Sequence, residues 1–322
     1  MSVQQWVRRV THGVSPDRVR ATWRGILPWA VGFGVQLPTL AIIGFAIRSQ
    51  FDLSELGGGT IVILDIGLLG IASGIGLLVA ITFGTWLDKR SLAAYGISVS
   101  PSELRDWVAG IVIGSLTYAV PTAVFLQLGR ADVTAAYSSQ IDDLMVIAIV
   151  AAVAIVSFGL QTAFEEFVFR GVMLKNFAEG LVSRGSSPTR SAIVALLASS
   201  LVFGASHIIT QTGGGAEGRS IQLVVSSTLL GLLWGGTYVL TGQFAVPFGL
   251  HLGHNLWAAM VLQPTEVAVR VPALGQVAYS VSRYDLVVGQ VIVGASCVLM
   301  WLYLTRDEVI IEDRSARQTE HQ

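Results

Sequence analysis

Apart from Asp65, no Asp, Glu, Lys or Arg interrupts eight long apolar runs, and no other feature of this sequence constrains its fold as strongly. The runs are Ile26–Ile47, Thr60–Trp86, Trp107–Leu128, Leu144–Phe164, Ser191–Ile209, Ile221–Leu240, Phe244–Leu262 and Leu286–Leu304. A helix needs roughly 20 mostly apolar residues to cross the hydrocarbon layer of a membrane, and each run meets or approaches that length. Only 13% of residues are charged, against about 25% in ordinary globular domains. A soluble domain is excluded. The expected fold is all-α: a polytopic membrane helix bundle of about eight transmembrane helices, in contact with lipid over much of its surface.

All eight runs contain glycine, and small residues let helices approach closely where no hydrophobic effect drives them together. Trp29, Trp86, Trp107 and Trp301 fall near run ends, where interfacial aromatics belong. Cations alternate between loops. The N-terminal tail carries Arg8, Arg9, Arg18, Arg20 and Arg24, and the second loop Lys89, Arg90 and Arg105. The fourth loop carries Arg170, Lys175, Arg184 and Arg190, and the C-terminal tail Arg306, Arg314 and Arg317. The intervening loops hold acids such as Asp52, Glu55, Asp132, Asp142 and Asp143. The positive-inside rule then predicts an integral protein of the cell membrane with both termini cytoplasmic. The first 24 residues are polar and Arg-rich, unlike a secretory signal peptide.

A formal net charge of −1 gives no reason to expect a nucleic-acid partner. The single cysteine, Cys297, has no intrachain partner and reads as a packing residue. The triplet Gly213-Gly214-Gly215 lacks the following Lys of a phosphate loop.

Ionisable groups inside a bilayer are costly and usually functional or paired. Three clusters break the apolar runs: Glu165-Glu166-Phe167-Val168-Phe169-Arg170, Phe203-Gly204-Ala205-Ser206-His207 and His251-Leu252-Gly253-His254-Asn255. Glu166 and Arg170 are four apart, suited to an ion pair on one helix face. Glu165 is rotated about 100° from Glu166 and is available for another task. His251 and Asn255 share a face, as do Phe203 and His207. Glu165 and His207 also lie at nearly equal distances from Ser186, so a helical hairpin turning there brings them level. A carboxylate, two imidazoles and an amide then converge from three helices. That set suits hydrolysis: a carboxylate with a histidine activates water, while histidine and asparagine stabilise an oxyanion. The plain alternatives are a structural ion pair for Glu166 and Arg170 and a packing role for any one histidine, His254 above all. Asp65, deep in the second run, reads as buried and either paired or gating access.

The pattern Glu-Glu-x-x-x-Arg, Phe-x-x-x-His and His-x-x-x-Asn, in order on three apolar helices, resembles the CAAX protease and bacteriocin-processing family of intramembrane proteases. That family includes the type II CAAX prenyl endopeptidases. The resemblance spans about residues 141–262. It implies a catalytic membrane core at 141–262, preceded by a tail at 1–24 and membrane helices at 25–140. A loop, last membrane helix and tail follow at 263–322. It further implies an endopeptidase acting on a peptide or protein substrate at the membrane, prenylated in some members. Glu165 and His207 would activate water, His251 and Asn255 would stabilise the oxyanion, and Glu166, Arg170 and Phe203 would support them. Members have been described both as metalloproteases and as glutamate-dependent enzymes. Zinc is therefore left open: Glu165, His207 and His251 suit it in number and type, although no His-Glu-x-x-His pair is present. Two other readings stay beside this one. One is a non-catalytic scaffold or bacteriocin-immunity-type protein of the same fold. The other is a transporter relaying protons through Glu, His and Asp65.

Overall fold

The computed structural model describes residues 18–52, 56–136, 141–211, 217–265 and 271–305. Arg8, Arg9, Glu55, Arg306, Arg314, Arg317 and the triplet at 213–215 lie outside the described residues. The helices are α1 (Ala21–Gln50), α2 (Gly58–Asp88), α3 (Pro101–Gln127), α4 (Leu144–Glu166), α5 (Lys175–Val182), α6 (Pro188–Gln211), α7 (Glu217–Thr241), α8 (Ala245–Leu256) and α9 (Arg283–Thr305). A short 3₁₀ turn, Leu92–Tyr95, lies between α2 and α3. Capping explains several boundaries. Ser100 Oγ accepts a hydrogen bond from Glu103 N at 3.2 Å, with Pro101 in the first turn of α3. Asp143 Oδ1 accepts from Met145 N at 2.8 Å and starts α4. Left-handed Gly185 (φ +86°) and Gly242 (φ +66°) end α5 and α7.

Seven helices among the described residues are long and apolar enough to cross a membrane. One of them is the 39-residue rod Leu144–Val182, in which α4 runs into α5. At 1.5 Å per residue it is nearly 60 Å long against a hydrocarbon layer of about 30 Å, so part of it must stand outside the bilayer. The eighth expected span differs from its sequence reading. Phe244–Leu262 is a 12-residue α8 followed by a π-helical stretch, Trp257–Val261, and then a strand. Its apolar run is long enough to span, but the backbone changes conformation before a regular helix of that length is built.

The strands were not anticipated. β1 (Ala131–Ala135) pairs antiparallel with β3 (Gly275–Tyr279), and β3 pairs parallel with β2 (Leu262–Pro264). They lie in the two polar interruptions, 130–143 and 263–283, where the chain leaves its helices and the backbone needs new partners. The sheet lies where α3 ends and α9 begins, opposite the starts of α1 and α3.

That opposite end is tied by charge. Asp88, 1% exposed, receives Arg24 and Arg18 on Oδ1, the latter at 3.2 Å. Its Oδ2 accepts from Asn176 Nδ2 at 2.7 Å and from the Tyr95 hydroxyl at 2.9 Å. Glu179 pairs with Arg24 at 2.7 Å and with Arg90. Burial, then the Asp88 charge, pushes the Tyr95 phenol well above its usual range, which keeps it a donor. With Arg90 Nη1 at 3.3 Å from Oδ2, five groups from α1 and the segment before it, the loop after α2, the 3₁₀ turn and α5 converge on the buried carboxylate that ends α2. Removing one partner of a buried ion pair costs about 3–5 kcal/mol. Asp88→Ala is accordingly expected to lower the thermal midpoint of the detergent-solubilised protein sharply. A midpoint equal to wild type would show that the cluster carries no stability.

Asp65 is not buried. Its side chain is 53% exposed and pairs with Arg48 of α1 at 3.5 Å. The hydropathy of its run placed it deep, but the face it occupies points outward and its cation lies on the adjacent helix.

Candidate active site

Packing between α3 and α8 places the third motif. A methyl group added to Gly114 would strike the Leu250 carbonyl and His254 N, and one on Gly253 would strike the Ile111 backbone. Gly110 and Gly249 meet in the same crossing. Two small-xxx-small stripes thus bring the helix backbones into direct contact, and this fixes the depth and rotation of α8. His251, six residues beyond the start of α8, lies about 9 Å along it from the end that carries the charge cluster.

The first motif occupies a change of helix type. α4 ends at Glu166, and Phe167–Leu174 is π-helical before α5 begins. Wide turns of this kind recur at functional sites. Glu166, with no exposed surface, pairs with Arg170 at 3.3 Å, as the four-residue spacing predicts. Arg170, 2% exposed, also donates to the Gly231 carbonyl of α7 at 3.3 Å. Its guanidinium lies 4.5 Å from the Phe203 ring centroid, a cation–π contact in a dry interior.

The two glutamates meet on His251. Its Nδ1 donates to Glu166 Oε1 at 2.8 Å, and its Nε2 lies 3.7 Å from Glu165 Oε2. Rotation by 100° had suggested that Glu165 points elsewhere. Both carboxylates nonetheless reach one imidazole, because the ring presents its two nitrogens in different directions. Glu165 Oε1 additionally accepts from Gln161 Nε2 at 3.3 Å, one turn earlier. Asn255 Nδ2 donates to Thr162 Oγ1 of α4 at 3.5 Å.

His207 joins through an aromatic contact. The Phe203 ring is 4.7 Å from His207 and 6.0 Å from His251, edge-on to both, and it also abuts Phe169 at 5.1 Å. His207 Nδ1 donates to the Phe203 carbonyl at 2.9 Å, so the lone pair of the neutral ring is on Nε2. The hairpin that carries it, α5 to α6, is helical on both sides of a turn at 183–187, as the spacing about Ser186 predicts. His254 is buried against the Tyr118 ring at 5.2 Å, in keeping with a packing role.

Spacing marked Glu165, Glu166, Arg170, Phe203, His207, His251 and Asn255. It missed Trp234, whose indole stacks on His251, and Thr162. Gln161, four residues before Glu165, was open to discovery by the same spacing that pairs Glu166 with Arg170. Trp234 left no local signal, because it comes from a fourth helix outside the motifs.

Among the described residues no three His, Cys, Asp or Glu side chains stand together as a group able to hold a metal ion. Each histidine Nδ1 is committed, to Glu166 for His251 and to the Phe203 carbonyl for His207. The set Glu165, His207 and His251 is not brought together as such a group.

Comparison with known proteins gives one match. Neither curated proteins nor solved structures match the chain. Residues 143–257 match the family described as type II CAAX prenyl endopeptidase Rce1-like, a stretch that includes all three polar motifs. The match covers well under half of the 322-residue chain and marks residues 143–257 as similar to the Rce1-like type II CAAX prenyl endopeptidase family.

Proposed function

We propose that the protein is an intramembrane endopeptidase that hydrolyses a peptide bond in a membrane-associated substrate, with a prenylated C-terminal tail as the substrate class the family suggests. The observation that carries this reading is the pair of buried glutamates on the two nitrogens of His251. A structural ion pair requires only Glu166 and Arg170. The second carboxylate stands 3.7 Å from the other imidazole nitrogen, beyond a direct hydrogen bond but within reach through one water, which is where a hydrolytic water would be activated.

In the proposed reaction Glu165, with His207 Nε2, takes a proton from water as its oxygen attacks the scissile carbonyl carbon. The carbonyl π electrons move to oxygen, and that oxyanion is stabilised by Asn255 Nδ2 and by His251 Nε2–H, the ring carrying its second proton with Glu166 as counter-ion on Nδ1. Collapse expels the amide nitrogen, which receives the proton from Glu165. Glu166 and Arg170 hold His251 and the helix. The arginine-rich loops at the end carrying the charge cluster suggest that this end is cytoplasmic and that substrate enters from there.

The test is cleavage of an internally quenched peptide ending in a farnesyl-cysteine tail by the purified full-length protein. General acid–base groups contribute about 10²–10⁴-fold, so Glu165→Gln and His207→Ala should each lose at least about 100-fold in kcat. Full proteolysis by both variants would defeat the proposal and favour a scaffold of the same fold.

A further inference from the structure

Trp234 belongs to none of the three motifs, yet its indole lies flat on the His251 ring. The centroids are 3.6 Å apart and the planes 17° from parallel. Trp234 is 2% exposed and is itself held on several sides. Phe203 meets it edge-on at 5.7 Å, and His254 does the same at 5.9 Å. The Arg170 guanidinium lies 5.6 Å from the indole centroid, so the cation that balances Glu166 also anchors this wall.

The Nδ1–Glu166 bond fixes one atom of the His251 ring. A ring held at one atom can still swing about that bond and carry Nε2 away from Glu165. A flat neighbour at van der Waals distance removes that freedom, because any tilt drives the imidazole into the indole. Phe203, edge-on to His251 at 90°, limits sliding within the plane. We propose that Trp234 is a positioning residue that fixes the plane of the His251 imidazole, so that Nε2 is presented to Glu165 and the substrate. This rests on the reading of His251 as part of a hydrolytic site. It also gives His254 a use, as an edge that holds Trp234.

The experiment compares Trp234→Phe and Trp234→Leu in the full-length detergent-solubilised protein with two readouts. The first is cleavage of the farnesylated quenched peptide. Misplacing a reacting group by about 1 Å can cost about 100-fold, so Trp234→Leu should lose about that much kcat with KM little changed. Trp234→Phe, which keeps a flat ring, should restore most of it. The second is the Nδ1–H resonance of His251 in ¹⁵N-histidine-labelled protein, identified by its loss in His251→Gln. It should persist in Trp234→Phe and vanish into exchange in Trp234→Leu. Trp234→Leu with wild-type kcat and an unchanged resonance would overturn the proposal. So would equal losses in both variants with the resonance intact. If wild type cleaves nothing, the protease reading fails and the resonance alone decides the positioning role.

Discussion

Adding one methyl group at Gly114 is expected to lower kcat by about 100-fold. The new carbon would press on the Leu250 carbonyl, which forms the peptide bond to His251, and on His254 N one turn later. Neither is a flexible side chain, so α8 as a whole must retreat from α3. Overpacking a well-filled interior costs roughly 1–3 kcal/mol, and here the strain falls on the backbone that carries the third motif. The loss should therefore appear in turnover before it appears in unfolding. Gly159→Ala is the control. It lies on α4 with nothing within 4 Å of the added carbon, and it should leave the thermal midpoint and turnover near wild type. Equal turnover in Gly114→Ala and Gly159→Ala would show that the helix crossing does not set the geometry of the site.

The second large effect is expected at Glu166. Replacing it by leucine removes the partner of Arg170 and the acceptor of His251 Nδ1 in one step. A buried arginine left without its counter-ion costs about 3–5 kcal/mol, and turnover should fall with stability. Glu166→Leu combined with Arg170→Met separates the two roles. Replacing a whole buried pair with apolar groups is often neutral or stabilising, so the double variant should recover most of the thermal midpoint. It should remain inactive, because His251 still lacks its acceptor. Recovery of both stability and proteolysis would reduce Glu166 to a structural counter-ion.

Much of this was legible in the sequence, for physical reasons that also mark its limits. Hydropathy reports the medium, so seven helices follow from apolar length alone. Helical periodicity reports neighbours on one helix, so the pairing of Glu166 with Arg170 follows from four-residue spacing. The hairpin about Ser186 likewise needed only a count along two helices. Contacts between distant helices leave no such trace. Nothing local tells Trp234 that it will meet His251, or Asp88 that it will collect Arg24, Tyr95 and Asn176. Depth misleads too: Asp65 lies within an apolar run but faces outward beside Arg48. The form of the eighth run was not legible, because apolar character does not distinguish a regular helix from one that opens into a π turn and a strand.

The π-helical stretch Phe167–Leu174 bears on how the rod Leu144–Val182 tolerates length changes. Its upstream part must aim Glu165 and Glu166 at His251, while its downstream part must aim Asn176 at Asp88 and Glu179 at Arg24 and Arg90. A wide turn accommodates an extra residue relative to regular α-helix, so it acts as a phase adjuster between the two appointments. Deleting one residue there would turn one half of the rod against the other by about 100°. The glutamates and the charge cluster could then no longer both be in register. Residue count within this stretch is thus as strictly prescribed as residue identity at its ends.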